Sequence, residues 1–220
     1  MRELWDGLRR RPDGPAAVTA DIIRLLSLLC IPVAAIGWGP VGGLSLAFAT
    51  GGMLLPRALR LRPGFDITFA IVTLIAVWSS VIDLYVTVRW WDLPVHFVLN
   101  GLVAAIGYLL LVHFDIVAEA RTRSRPVLST TIVTTALGLS LGVVWEMFEW
   151  FGKNFIDGEI YVGYTDSIGD LLWGGLGSLL AGLAMPWIAA QPHREGPALD
   201  TSPARPTTAA ADGPPPRPAD

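Results

Sequence analysis

Acidic and imidazole side chains recur at helical spacing in the second half of the chain. Asp92, His96 and Asn100 stand four residues apart, Glu146 and Glu149 three, and Asp166 and Asp170 four. On an α-helix these spacings place each set on one face. Ser79, Asp83 and Thr87 make a similar stripe. Asp83, Asp92, Glu146, Glu149, Asp166 and Asp170 supply carboxylates, His96 an imidazole and Asn100 an amide. Such a donor set suits a divalent metal ion (Mg²⁺, Mn²⁺, Ca²⁺, Fe²⁺ or Zn²⁺) better than copper or an iron–sulfur cluster. Helix bundles build carboxylate metal sites from comparable pairs on facing helices. Ionised carboxylates this numerous repel one another, so they require shared protons, a bound cation or an ion pair. Arg89 and Lys153 are the cations nearest to them along the chain.

The elements that must hold these residues are membrane helices. AVILMFWYC residues make up 52% of the 220-residue chain and charged residues 16%, against about a quarter charged in soluble domains. The net charge of −3 offers no basic excess for nucleic acid, and one cysteine cannot form an intramolecular disulfide. A hydrocarbon core of about 30 Å needs about 20 mostly apolar residues per helix. Six runs approach that size: 21–38, 41–55, 67–86, 95–117, 127–151 and 167–189. The second is short and rich in glycine, so it reads either as a short span or as half of a bent hairpin with the first.

Lysine and arginine set the expected orientation. Arg2, Arg9, Arg10, Arg11 and Arg24 precede the first run or open it, and Arg57, Arg60 and Arg62 follow the second. Arg121, Arg123 and Arg125 follow the fourth, and Arg194, Arg205 and Arg217 the sixth. The alternate loops hold only Arg89 and Lys153. This asymmetry predicts an all-α polytopic bundle of six transmembrane helices with both termini in the cytoplasm. The polar stripes then share the extracytoplasmic ends of four spans, with His96, Glu146 and Asp170 about 5–10 Å inside them. An ionisable group at that depth costs at least about 2.5 kcal/mol unless partnered.

The chain divides into a basic arm at 1–20, a transmembrane domain at 21–190 and a Pro/Ala-rich tail at 191–220. Leu4, Trp5 and Leu8 beside arginines suit either a short helix on an anionic leaflet or a solvated arm. The tail holds eight of the seventeen prolines and no aromatic residue, a composition that predicts disorder. Ala47-Phe48-Ala49 has the form of a signal-peptide cleavage site, but the apolar stretch before it is too long for one.

Simpler roles account for many polar and small residues. Asp166 and Asp66 read as helix N-caps, and Glu149 and Asp92 are compatible with plain headgroup-level acids. His113 and Asp115 lie at the other end of their span, about 25 Å from His96. Trp90, Trp91, Trp145, Trp150, Tyr161 and Tyr164 form an outer aromatic belt. Gly43-Ala47-Gly51, Gly138-Gly142 and Gly174-Ser178-Gly182 mark helix contacts, and Cys30 is an apolar filler.

Three motifs carry a resemblance: Asp92-x-x-x-His96-Phe97, Trp145-Glu146-x-x-Glu149-Trp150, and Gly163 followed by Asp166-x-x-x-Asp170. With them the chain resembles, over residues 80–190, the YjdF-like family of bacterial inner-membrane proteins, which is itself similar to VanZ-like membrane proteins. The glycine after the histidine comes one residue later than in that pattern, at Gly101, and no glutamine separates the last two aspartates. The resemblance implies a multi-span protein of the bacterial cytoplasmic membrane and supplies no activity.

Three functions compete on the residues alone. The first is an enzyme at the outer headgroup level acting on a lipid-linked or envelope phosphate or ester. His96, Glu146 and Glu149 would be its catalytic or metal-binding groups, completed by Asp92, Asp166 and Asp170, with Arg89, Asn100 and Asp83 toward the substrate. The second is an assembly protein in which the cluster only locks four helices together. The third, a proton-coupled transporter, lacks the midplane polarity and repeated halves expected of one.

Overall fold

The computed structural model describes residues 2–119, 122–158, 160 and 162–188. The expected tail, Tyr161, Arg121 and the arginines beyond residue 190 lie outside them. The described residues form helices joined by short turns and irregular segments, with no strand among them: α1 Arg2–Arg9, α2 Gly14–Gly52, α3 Leu54–Ala58, α4 Pro63–Val81, α5 Leu84–Thr87, α6 Asp92–His113, α7 Pro126–Phe155 and α8 Tyr164–Ile188. A 3₁₀ turn, Arg89–Trp91, leads into α6. Proline opens α2, α4 and α7, where its missing N–H leaves no intrahelical bond unmade.

Among the described residues, five helical stretches are long and apolar enough to cross a membrane: Gly14–Ala58, Pro63–Val81, Arg89–His113, Pro126–Phe155 and Tyr164–Ile188. The first contains both the 21–38 and the 41–55 runs. At Gly39 the backbone takes φ 86° and ψ 176°, a conformation open essentially to glycine alone, and Pro40 follows with no N–H to give back to the preceding turn. The chain doubles back there. A Cβ added at Gly43 would lie 2.7 Å from the Cβ of Ala35. Further out, the Ser27 and Thr50 hydroxyls share a hydrogen bond and Arg24 Nε donates to the carbonyl of Met53 at 3.0 Å. On one straight helix Ser27 and Thr50 would be about 35 Å apart. The stretch is therefore a tight hairpin whose second arm continues through α3.

Helices α6, α7 and α8 pack together as a three-helix unit, while α2 pairs with α4 and α4 joins the two parts through α6. Small residues make this closeness possible. A Cβ at Gly177 would stand 1.8 Å from the Phe97 carbonyl oxygen, one at Gly101 2.7 Å from that of Gly177, and one at Gly138 2.0 Å from Ser178 Oγ. The glycine and serine stripes of α7 and α8 thus mark helix contacts as their spacing suggests, whereas Gly51 meets nothing within 4 Å.

Large apolar side chains such as Leu25, Leu29, Ile36, Leu44 and Phe48 point outward, while Arg24, Ser27, Asp66, Thr130, Thr134, Asp170 and Ser178 are buried. Burying polar groups beneath an apolar exterior is the arrangement expected of a bundle solvated by lipid.

The buried charges at the α4 start were read differently from sequence. Asp66 is not the α4 cap: that position falls to Arg62, and Asp66 instead pairs with Arg24, which also bonds Asp21 at 2.6 Å. Arg24 is accordingly inside helix α2 and buried rather than part of a basic flank.

Candidate functional site

The carboxylate end of the bundle is assembled where α4 ends and α6 and α8 begin. Asp92 is the first residue of α6 and His96 lies one turn further, so the helix itself stacks them; Nε2 of His96 is 3.3 Å from Oδ1 of Asp92. Asp170, almost two turns into α8, projects from the facing helix and is buried. Glycines bring the two helices together just beneath: Gly177 lies on the Phe97 backbone and Gly174 against the Asn100 side chain. One ligand atom from each of Asp92, His96 and Asp170 falls within 4.8 Å of the other two, and among the described residues this is the one such group of three or more.

These distances fit a single cation. Two oxygen or nitrogen ligands on one ion, each about 2.0–2.5 Å from it, stand about 2.8–5 Å apart. The donors are two carboxylates and an imidazole, the hard-to-borderline set of divalent ions, and three protein ligands leave coordination positions open. A divalent cation held there would act as a Lewis acid.

The other acids surround this trio without joining it. Glu149 lies within electrostatic reach of Glu146, His96 and Asp92, and its Oε1 accepts a hydrogen bond from Trp145 Nε1 at 2.9 Å. Trp145 thus orients a carboxylate as well as contributing to the belt. Glu146 is half-buried, and Asp166 occupies the first turn of α8, which begins at Tyr164. Arg89 is exposed and its charge reaches Asp166. Lys153 donates to the carbonyl of Val162 at 3.0 Å.

Two residues expected toward a substrate sit elsewhere. Asn100 faces inward, donating from its amide to the carbonyl of Gly138 at 3.2 Å, with Ser178 Oγ 3.5 Å away; it ties α6 to α7 and α8 below the trio. Asp83 is exposed, at φ 58° in the break between α4 and α5. The Ser79-Asp83-Thr87 stripe presumes a continuous helix through this break, so only Ser79 turns inward.

Sequence reasoning missed the wall formed by that break. Ser79 accepts a hydrogen bond from Trp91 Nε1 at 3.0 Å, and Tyr85 donates its hydroxyl to the carbonyl of Ala76 at 2.9 Å. Burial, together with the charge of Asp92, pushes the Tyr85 phenol well above its usual range, so it remains a neutral donor. Trp90 stays exposed as a belt residue would.

A family of predicted membrane proteins, DUF2238, matches residues 24–191. The chain belongs to this family. Its matched region contains α4 to α8 complete, the hairpin from Arg24 onward and the whole Asp92/His96/Asp170 trio. No curated protein and no solved structure matches the chain. It is thus a multi-pass membrane protein of the DUF2238 family with a carboxylate–imidazole group at one end of its bundle.

Proposed function

We propose that this DUF2238 protein is a metal-dependent membrane enzyme whose centre is Asp92, His96 and Asp170, acting on a lipid-linked or envelope phosphate or ester. The observation that carries the reading is the meeting of three ligand atoms from two helices within 4.8 Å. Glu149, oriented by Trp145, is the general acid–base candidate beside it, with Glu146 and Asp166 adding negative charge around the centre. Arg89 at the rim suits an anionic headgroup. The chain crosses the bacterial inner membrane six times, counting the hairpin as two, with both termini cytoplasmic and the trio on the extracytoplasmic side; the arginine distribution supports this orientation. Kinship with YjdF-like and VanZ-like proteins rests on the three motifs around these residues.

A structural lock is the second reading, favoured by one observation: Asn100 joins three helices directly under the trio. In that case a proton shared by His96 and Asp92 takes the place of the ion.

Metal content of the detergent-purified full chain separates the two. Loaded with each of Mg²⁺, Mn²⁺, Ca²⁺, Fe²⁺ and Zn²⁺ in turn, the enzyme reading expects about one retained ion per chain, lost in His96→Ala and Asp170→Asn while the circular dichroism stays helical. Affinity rises with pH, because the imidazole and carboxylates must shed protons to bind, and falls about tenfold per pH unit once one ligand is protonated. A wild-type chain that retains no ion, with both variants melting at lower temperature, supports the lock and overturns the enzyme.

A further inference from the structure

At the opposite end of the bundle, α1, the start of α2, and the α3–α4 turn border a half-open cavity of about 750 Å³. Arg9, Arg10, Arg11, Arg57, Arg60 and Arg62 line it, with Asp6, Asp13 and Asp66 as the acids. Its volume is within the range of about 300–1,000 Å³ typical of small-ligand sites. Two of the three acids are already engaged: Asp13 pairs with Arg10, and Asp66 with Arg24, behind the cavity. Arg10 is spent on Asp13 and Arg57 on Asp21, yet six arginines against three acids leave the wall with a positive excess in one concave site.

Several of these arginines are held in place. Arg57 is clamped by Asp21 and by the carbonyls of Leu8, at 3.1 Å, and Arg10, at 2.7 Å. The Arg9 guanidinium lies 4.7 Å from the Trp5 ring centre. Gly7 presses on the backbone of Ala58, seating α1 against α3 so that the cavity has a second wall. Arg60 adds an independent sign in its side chain. Its left-handed backbone, at φ 55°, belongs to the end of α3, where the N–H groups of Arg60 and Leu61 donate to the carbonyls of Arg57 and Pro56. Its Nε is buried without a hydrogen-bond partner, although guanidinium N–H groups are donors only and need acceptors.

We propose that this cavity is a binding site for a phosphate group. A phosphate offers several charged acceptor oxygens in the geometry that guanidinium forks match. The cavity lies where two long apolar helices begin, at Pro15 of α2 and Pro63 of α4, which is the level of lipid headgroups. The same phosphate chemistry is carried by an anionic phospholipid and by a free phosphate, and the experiment distinguishes them. The site is about one helix length from the Asp92/His96/Asp170 trio and does not depend on any reading of it.

The purified full chain is mixed with vesicles of phosphatidylglycerol or of phosphatidylcholine, and retained lipid is counted after repurification; inorganic phosphate is titrated separately by calorimetry. Variants are Arg60→Gln and Arg11→Gln, the second in an exposed segment so that folding is spared, with exposed Arg125→Gln outside the cavity as control. Preferential retention of phosphatidylglycerol that falls roughly fivefold or more in each cavity variant and is unchanged in Arg125→Gln supports a lipid headgroup. Phosphate binding that weakens in the same two variants, without lipid preference, supports a free phosphate. Equal binding of both probes by wild type and cavity variants, or no binding at all, overturns the proposal.

Discussion

Arg24 is a full charge enclosed within an apolar helix hairpin, and Asp66 is the residue that makes this tolerable. Removing one partner of a buried pair leaves the other uncompensated, which typically costs about 3–5 kcal/mol, whereas replacing both with apolar residues is often neutral. Asp66→Ala should therefore lower stability by about that amount, less whatever Asp21 still neutralises, and the double variant Arg24→Leu/Asp66→Leu should recover most of it. Thermal unfolding of the three proteins in detergent measures both. Loss of stability that is larger in the double variant than in Asp66→Ala would show that the pair contributes more than mutual neutralisation. This pairing also shows what was legible at the scale of single residues. His96 and Asp92 could be matched because four-residue spacing on one helix is a local relation, and Asp170 because its helix begins with the same kind of stripe. The Asp66 partner is 42 residues away, and a cap is what local preference suggests for an acid at a helix start. Tyr85 and Trp91 were hidden for a related reason: their role depends on the break between α4 and α5, which neither glycine nor proline announces.

Helix contacts decide whether the trio exists at all. Gly177 and Phe97 touch at backbone level one residue from His96, so a methyl group there must push α8 away from α6. Gly177→Ala should destabilise the bundle by about 1–3 kcal/mol or more and, by separating His96 from Asp170, abolish metal retention. Gly51→Ala is the internal contrast. Nothing lies within 4 Å of that position, so alanine should leave stability unchanged or raise it by about 0.5–1 kcal/mol through helix propensity. Melting temperatures of the two variants should move in opposite directions or differ clearly in size; equal losses would mean that α6 and α8 do not meet closely. Small residues at four-residue spacing marked Gly138, Gly174, Ser178 and Gly182 as contact residues, but Gly177 and Gly101, which bring the α6 and α8 backbones together, lie outside those stripes, and Gly51, inside one, meets nothing. Which stripe meets which helix was not readable, since spacing defines a face and leaves its partner open. The Gly39–Pro40 corner, likewise, is visible as a turn signal, but whether it joins two spans or bends one depends on the Ser27–Thr50 and Arg24–Met53 bonds across the hairpin.

Taken whole, the molecule puts a carboxylate-rich group at one end of a lipid-facing bundle and an arginine-lined cavity at the other. The positive-inside rule, which counts Lys and Arg and not acids, expects the arginine-lined end to face the cytoplasm, and a labelling experiment tests that orientation directly. In a Cys30→Ser background, Thr87→Cys and Thr165→Cys should react with a membrane-impermeant maleimide added to intact cells, and Ser124→Cys only after lysis. All three parent residues are exposed, so the opposite pattern would reverse the topology and place the trio inside. The general character of a helical membrane bundle was plain from composition, because apolar content and charge segregation are properties of the whole chain; the Asp92/His96/Asp170 group of ligand atoms emerges only once helices are packed. The distance between Arg24 and Asp66 along the chain also has a consequence for how the protein is made. At about 5–20 residues per second, a ribosome needs about 2–8 seconds to add the residues between them. During that interval the Arg24 guanidinium has only Asp21 and, once the second arm is made, the Met53 carbonyl to meet it. Until the third hydrophobic segment emerges, the arginine in the first arm lacks the buried carboxylate that the finished fold sets against it.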